Sequence, residues 1–334
     1  MSNKEAYCVE LGRVVNIIEA RLEFLSQNKL NKFTFLCSNE ECRNNGVKII
    51  GVNYNKYPSE ETKLTPHFKY RSKNNKPHSS NCMWNQNKDI KKHKNESNDE
   101  FKLRKTKLTL NDYIDIFETQ SPSKDNHSTS IIDKITTENN SIKTFNQKQN
   151  NKTEKPIKKH TKTNQLMRLV ESYLNARAKL PKELFLKLPL KTPQKEITYL
   201  YQYFRRAEKA IIEKKICVYI GDTEFKENDK GLYFILKNQE ADKTDKSNKI
   251  PPIVVFISRD TFDKYRYRRA LRDHINTNQY PKKYFKVYFI PEKEQLNLRK
   301  KEKNGKVMEF YFIEIKNLHH FCLFNYSTIK NLRK

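Results

Sequence analysis

Glycine is scarce in this sequence, with 6 residues among 334. The chain has no glycine-rich loop of the kind that cradles phosphate groups in nucleotide-binding enzymes. No Ser/His/Asp catalytic set and no HNH nuclease motif is recognisable in the sequence. These absences argue against the common hydrolase and nucleotide-dependent classes, and they leave the sequence without an evident catalytic motif.

Long apolar runs are also missing. No stretch reaches the roughly 18 uninterrupted apolar residues that a membrane-spanning helix would need. The first residues, MSNKEAYCVELGR, lack the apolar centre of a secretory signal peptide. We therefore expect a cytoplasmic protein that does not enter membranes. Cysteines are reduced in that compartment, so closely spaced cysteines favour metal binding over disulfides.

Acidic residues are few relative to basic ones. The chain has 39 Asp and Glu against 67 Lys and Arg, for a net charge of +28. Such a charge favours binding to polyanions, with nucleic acid ahead of an anionic membrane surface. An AT-rich coding sequence would also enrich lysine, but it would not cluster the lysines on particular elements. The length of 334 residues suffices for two or three domains. Only 36% of the residues are hydrophobic, so we expect part of the chain to lie outside any core.

Two pairs of potential metal ligands lie between Phe35 and Trp84. The first pair has the spacing Cys-x4-Cys and the second has the spacing His-x3-Cys. Zinc in structural sites is held by four Cys or His ligands that are placed as two close pairs on turns. We expect the ligands to be Cys37, Cys42, His78 and Cys82. Four ligands leave no open position, which predicts a structural role, and His67 is a substitute ligand or a group beside the site.

Predicted strands at residues 32–37 and 47–54 lie between these ligands, which indicates a zinc-ribbon-like module over residues 1–84. The module resembles the N-terminal zinc module of competence protein CoiA-like bacterial proteins over about residues 10–84. The matching positions are Gly12, Val14, Ile17, Glu19, Ala20, Phe35, Cys37, Cys42, Pro66, His67, Phe68, His78 and Cys82. Three features depart from the family: the Cys–Cys gap is wider, Tyr70 stands where the family has a second histidine, and the nuclease-like part expected downstream is not recognisable in the sequence. The resemblance implies a context of DNA metabolism, mobile elements or phage defence, and it implies no activity.

Residues 85–162 are rich in Asn, Ser, Thr, Lys and Gln and poor in apolar residues. Such a composition buries too little surface to offset the entropy of ordering, so we predict a disordered linker. Within it, residues 107–119 are more apolar and fit either a transient helix or a short docking motif for a protein partner. Residues 163–215 show helical spacing, with one helix from about Thr163 and a second from Thr192 to Lys214.

Residues 216–334 contain six predicted elements in the order β-β-β-α-β-β, which is the order of an OB-fold. Another five-stranded α+β sheet would show the same order. The predicted fold class is therefore α+β and multidomain. It comprises a zinc-ribbon-like N-terminal module, a disordered linker, a helical lead-in and an OB-like five-stranded β-barrel.

One face of the predicted barrel is aromatic and basic. Single-stranded nucleic acid is bound by a positive groove with aromatic platforms on which bases stack. We expect eight residues to form this surface: Tyr219, Tyr233, Lys237, Lys286, Tyr288, Arg299, Lys300 and Lys301. The last three lie in a predicted loop between the fourth and fifth strands, which flanks the ligand groove in OB-folds. The alternative is that the tyrosines complete the barrel wall and the lysines are a solvated face.

These features predict a non-catalytic protein that binds single-stranded DNA or RNA, with zinc as a structural cofactor. The first alternative is a protein-interaction adaptor in a DNA-processing or phage-defence complex, which would bind a protein partner through the linker or the zinc module. The second is a metal-dependent PD-(D/E)xK-like nuclease, because Glu314 and Lys316 form an E-x-K pair on an apolar strand. No upstream acid that would complete the nuclease site is evident.

Overall fold

The structure is a computed structural model. It describes residues 5–27, 31–57, 66–73, 75–80, 82, 84, 92, 96–110, 113–119, 162–194, 196–236, 250–277, 284–303 and 306–325. Met1–Thr119 and His160–Lys334 form one compact unit, and Gln120–Lys159 form a second unit that lies outside the described residues. No helix in the described ranges combines the length and the apolar character that crossing a membrane requires.

The N-terminal part of the first unit is a five-stranded antiparallel sheet with two helices. The strands are β1 (Ala6–Cys8), β2 (Arg13–Val15), β3 (Phe35–Cys37), β4 (Lys48–Val52) and β5 (His67–Lys69), in the order β2-β1-β3-β4-β5. The helices are α1 (Ile17–Leu25) and α2 (Glu40–Asn44). The Asn16 side chain accepts hydrogen bonds from the N–H groups of Ile18 and Glu19, and this cap starts α1. Both strands predicted around the cysteines are confirmed.

The predicted linker needs correction at residues 98–110 and 113–119. Helix α3 (Asn98–Thr109) starts with a capping box between Ser97 and Glu100, and strand β6 (Ile116–Phe117) follows. Leu110, Tyr113, Ile114 and Phe117 are buried in the larger hydrophobic core. These apolar side chains gain stability from distant partners, which the polar average composition of the segment conceals. The linker predicted for residues 120–161 lies outside the described residues.

The helical lead-in is confirmed in its first half only. Helix α4 (Leu166–Lys179) is followed by α5 (Lys182–Phe185). The helix predicted from Thr192 to Lys214 is wrong, because this stretch contains four short elements. They are β9 (Ile197–Tyr199), α6 (Leu200–Tyr203), β10 (Phe204–Arg206) and α7 (Ala207–Ile212). Strand pairing overrides local helix propensity here: β7 (Lys162–Thr163), β6, β8 (Pro189–Lys191) and β9 form a small sheet in the order β7-β6-β8-β9.

The C-terminal part is a mixed sheet of eight strands. These are β10, β11 (Val218–Asn228), β12 (Gly231–Leu236), β13 (Ile253–Ser258), β14 (Tyr284–Phe289), β15 (Leu298–Lys303), β16 (Lys306–Glu314) and β17 (Phe321–Asn325). The order is β15-β16-β13-β12-β11-β14-β17, with β10 paired to β11. Helices α8 (Arg259–Lys264) and α9 (Arg268–Thr277) connect β13 to β14.

This sheet does not confirm the OB-like barrel. Within the described ranges no pairing joins the edge strand β15 to β17, so the sheet is open. The predicted loop between the fourth and fifth strands is in fact strand β15, which pairs with β16 along six residues. Two further strands, β17 at the edge beside β14 and β10 beside the interior strand β11, also widen the sheet beyond five strands. The coarse α+β class holds, and closure of the sheet into a barrel is not confirmed.

Helix α1 packs against the segment that runs from the end of α8 into α9. Tyr267 and Ala270 belong to the same buried cluster as Phe24 and Leu25. Arg21, which is buried, forms an ion pair with Glu171 on α4. Loss of either partner would leave a buried charge without compensation, which costs stability. The ion pair therefore holds helix α1 against helix α4.

His274 on α9 gives the fold a pH dependence. Its ring is buried 6.3 Å from Tyr57 and 6.4 Å from Phe285, measured between ring centroids. Burial, with a smaller contribution from the charge of Arg21, lowers the pKa of His274 from 6.5 to about 4. The unfolded chain binds a proton at this position below about pH 6.5, whereas the folded chain does not.

We therefore expect the free energy of unfolding to be highest above about pH 6.5 and to fall as the pH drops toward 4, by up to about 3 kcal/mol from this group. His274→Leu should flatten that part of the profile, since leucine does not titrate. Urea unfolding midpoints at a series of pH values measure the effect. Parallel profiles for the wild type and the variant would rule out His274 as the cause.

Candidate metal centre and nucleic-acid interface

Cys37 and Cys42 are positioned by a strand end and a short helix. Cys37 is the last residue of β3, and its N–H donates to the carbonyl of Val47 at 2.9 Å. The Asn39 side chain caps α2 by accepting from the N–H of Cys42 at 3.0 Å. The Cys42 carbonyl then accepts from Val47 N–H at 3.0 Å. The Cys-x4-Cys spacing thus spans one helical turn, which returns the second thiol toward the first.

His78 and Cys82 lie on the loop that follows β5. Asn75 anchors this loop to β4: its amide accepts from Lys48 N–H at 3.1 Å and donates to the Lys48 carbonyl at 2.7 Å. The His78 ring is stacked on Trp84 at 5.7 Å and lies 4.3 Å from the ring of Tyr70. Tyr70, which stands where the resembling family has a second histidine, therefore packs on a ligand candidate.

The four predicted ligand residues converge. Their ligand atoms all lie within 4.8 Å of one another. Cys37 Sγ is 3.4 Å from His78 Nδ1 and 3.5 Å from Cys82 Sγ, and Cys82 Sγ is 3.4 Å from His78 Nδ1. A tetrahedral zinc with bond lengths near 2.3 Å to sulfur and 2.0 Å to nitrogen requires separations of about 3.5–3.8 Å. The group is therefore close enough to bind one metal ion, and His67 is not a member of it.

The thiols of this group have unequal environments. Burial raises the pKa of Cys37 and of Cys82. Burial alone would also raise the pKa of Cys42, but hydrogen bonds from the hydroxyl and the N–H of Ser79, together with those from Cys82 and Cys37, lower it overall. Three thiols packed this closely are favoured as thiolates only when a cation balances their charge. The chemistry of the donor set therefore fits a metal ion.

Two of the predicted stacking residues are not available for stacking. Tyr219 and Tyr288 are fully buried, so the prediction that they stack on bases is wrong. The Tyr288 ring packs on Phe204 and Phe324, and burial raises the pKa values of both tyrosines above the usual range. The predicted alternation in β14 is confirmed, but helix α4 and strand β10 cover the side that carries Tyr288. Tyr219 lies on the core side of the sheet, opposite Phe289.

The predicted basic residues divide into three groups. Lys286 forms an ion pair with Asp222 at 2.6 Å and is mostly buried. Lys237 lies outside the described residues. Arg299, Lys300 and Lys301 are exposed on the edge strand β15. Only this last group remains on the open surface within the described part of the chain.

A row of half-buried aromatic side chains crosses the sheet next to β15. It consists of Tyr233, Phe256, Phe312 and Phe310 on β12, β13 and β16. Successive ring centroids lie 4.8, 5.4 and 6.4 Å apart. The guanidinium of Arg299 lies 4.9 Å from the centroid of the Phe312 ring. We call these five residues the aromatic face.

Three members of the aromatic face, Phe256, Phe310 and Phe312, were not predicted from the sequence. The sequence feature that could have identified Phe310 and Phe312 is the period of two in FYFIEI, residues 310–315. Ile313 and Ile315 are buried, so Phe310, Phe312 and Glu314 point to the opposite side. Both sides of β16 carry apolar residues, so the sequence alone does not show that the side with Phe310 and Phe312 is partly open to solvent.

The nuclease candidate gains no partner acid. Glu314 lies on β16 opposite Phe256, and Lys316 forms an ion pair with Glu292 at 3.1 Å. In the part of the chain that the structure describes, the cysteine and histidine group is the one cluster of three or more potential metal ligands. Glu314 does not belong to that cluster, so within the described residues the Glu314–Lys316 pair has no further metal ligand that would complete a nuclease site.

Comparison with known proteins assigns no function to these residues. No protein-family model, no curated protein and no solved structure matches the chain. The resemblance to the CoiA-like zinc module therefore stays a prediction. Function has to be inferred from the metal-ligand group and from the aromatic face.

Proposed function

We propose that this protein binds single-stranded DNA or RNA on the aromatic face without catalysing a reaction, and that a zinc ion stabilises its N-terminal module. The observation that carries the proposal is the row of four half-buried rings with Arg299 against one of them. Every nucleobase has a π-face, so such a row binds bases with little dependence on sequence.

The charge beside the row supports the same ligand. Arg299 and Lys301 lie on the side of β15 whose partners on β16 are Phe310 and Met308. Cations next to stacking platforms pair with phosphates while the rings contact the bases. Glu314 lies at the far end of the same side, so the favourable potential is greatest toward β15.

Zinc is the ion that the donor set favours. Three cysteines and one histidine are a common ligand set of closed structural zinc sites, and four protein ligands leave no position for a reacting water. All six cysteines of the chain are free, as a reducing, cytoplasmic location would require. The metal would then hold the module together and take no part in chemistry.

Phe312→Leu combined with Phe256→Leu should weaken binding to an oligo(dT) strand by about tenfold or more, because each stacked base contributes about 1–3 kcal/mol. Leucine retains most of the buried apolar surface, so the fold should persist. Fluorescence anisotropy with a labelled strand measures the dissociation constant of the full chain.

Tyr199→Leu is the matched control for the loss of an aromatic ring. Tyr199 is 48% exposed and lies on β9, away from the aromatic face. Its replacement should change the dissociation constant less than twofold. Equal affinities for all three proteins would contradict the proposed surface. A folded protein that binds no single strand at low salt would favour the protein-interaction adaptor instead.

A further inference from the structure

Strands β15 and β16 form a two-stranded ribbon that extends past the body of the sheet. Their register pairs Leu298 with Tyr311 and continues to Lys303 opposite Lys306. Strand β13 pairs with β16 only from Tyr311 to Glu314. Among the described residues, the β16 segment 306–310 thus has β15 as its single strand partner. We call residues 298–303 and 306–311 the ribbon.

The two sides of the ribbon carry different charge. Cross-strand partners share a side of a sheet. On one side Arg299 faces Phe310 and Lys301 faces Met308, and this side has no acidic residue. On the other side Lys300 forms an ion pair with Glu309 at 2.9 Å, and Glu302 faces Val307. One side is therefore basic and apolar, whereas the other carries Lys300 against Glu309 and Glu302 and is slightly acidic.

The ribbon is open to solvent in spite of its apolar residues. Val307 is 64% exposed and Met308 is 46% exposed. Arg299, Lys300 and Lys301 are also exposed. Lysine on an edge strand opposes the addition of another protein strand. A negatively charged ligand with a groove wide enough for two strands would explain both the exposed apolar residues of the ribbon and the difference in charge between its two sides.

The major groove of duplex DNA meets these requirements. It is about 12 Å wide, and it admits a two-stranded β-ribbon. Its rims are phosphates, and its floor carries thymine methyl groups that suit apolar side chains such as Met308. The major groove of duplex RNA is too narrow and deep for side chains to read. We propose that the ribbon, which shares Arg299 and Phe310 with the aromatic face, is a second nucleic-acid site that enters the major groove of duplex DNA.

This site goes beyond single-strand binding and predicts a different response to substitution. Lys301→Ala removes a charge from the basic side, and Lys300→Ala removes the same charge from the side where Glu309 already neutralises it. Both side chains are exposed, so both variants should fold. The pair therefore separates a specific contact from a change in net charge.

The experiment measures binding of the full chain to a 20-base-pair duplex over a range of salt concentrations. For Lys301→Ala we expect affinity to fall about fivefold at low salt and the slope of log K against log salt to become shallower by about 0.9, the value for one lost phosphate contact. For Lys300→Ala we expect less than a twofold change and an unaltered slope.

Three outcomes would overturn the ribbon proposal. They are absence of duplex binding, equal losses for Lys300→Ala and Lys301→Ala, and binding of anionic lipid vesicles in preference to the duplex. The double variant at Phe256 and Phe312 keeps the two proposals distinguishable. It should reduce affinity for the single strand and leave affinity for the duplex within twofold, so either site can fail while the other stands.

Discussion

Cys82→Ser is expected to abolish tight metal binding and to unfold the N-terminal module. A structural zinc contributes about 10–16 kcal/mol of apparent binding free energy in small domains, and that energy is also folding energy. The module lacks the size to replace this contribution, because its sheet consists of strands of three to five residues. Burial raises the pKa of Cys37, and without a bound metal ion no cation stabilises its thiolate form.

Trp84 makes this effect measurable. It is the single tryptophan of the chain, it is buried, and its ring stacks on His78. Metal content by mass spectrometry should fall from one zinc per chain to near zero, and the tryptophan emission should shift to the red. A chelator should produce the same shift in the wild-type protein.

Cys8→Ala is the matched control, since Cys8 is a buried thiol of the same module that lies outside the ligand group. It should retain zinc and the native emission spectrum. Full zinc content in Cys82→Ser, or equal loss in Cys8→Ala, would contradict the assignment of the ligands.

Phe117→Ala is expected to destabilise the larger core by about 3–5 kcal/mol, the usual cost of removing a buried aromatic ring. Phe117 is fully buried, and its ring lies 6.2 Å from that of Tyr203. The residue lies in a segment whose composition predicts a disordered linker. A disordered Phe117 would tolerate alanine with almost no change.

The urea midpoint of unfolding measures this difference, with Ile197→Ala as the control. Ile197 is 79% exposed, so its replacement should shift the free energy of unfolding by less than about 0.5 kcal/mol. Equal midpoints for Phe117→Ala and the wild type would show that residues 98–119 are not part of the core.

The metal-ligand group was predictable because its signal is local. Two closely spaced pairs of ligands on turns identify a site without knowledge of the fold, and the structure brings Cys37, Cys42, His78 and Cys82 together. The strands were also predictable, since a period of two is visible in β12, β13, β14 and β16. Their pairing was not, because β13 pairs with β16 across more than fifty intervening residues.

Burial was the least predictable property. Tyr288 lies at a position of β14 that alternates with core residues, and the local pattern gives no sign of helix α4 and strand β10, which cover it. Tyr219 lies on the core side of β11, opposite Phe289. For Phe256 and Phe312 the error runs the other way: their sequence context suggests core residues, but they are half-buried on the partly open side of the sheet. Which side of a strand is open depends on elements distant in sequence, and a pattern of single residues does not contain that information.

A salt titration of single-strand binding by the full chain tests the central claim most directly. The claim is that the aromatic face holds a strand through stacking and through a small number of phosphate contacts. Binding to labelled oligo(dT) should be measurable at about 50 mM salt and should weaken with a slope near −2 in log K against log salt, which corresponds to about three phosphates. Affinity that persists at high salt should disappear in the Phe256 and Phe312 double variant. Absence of binding at low salt, in a protein that retains its zinc and its fold, would contradict the account.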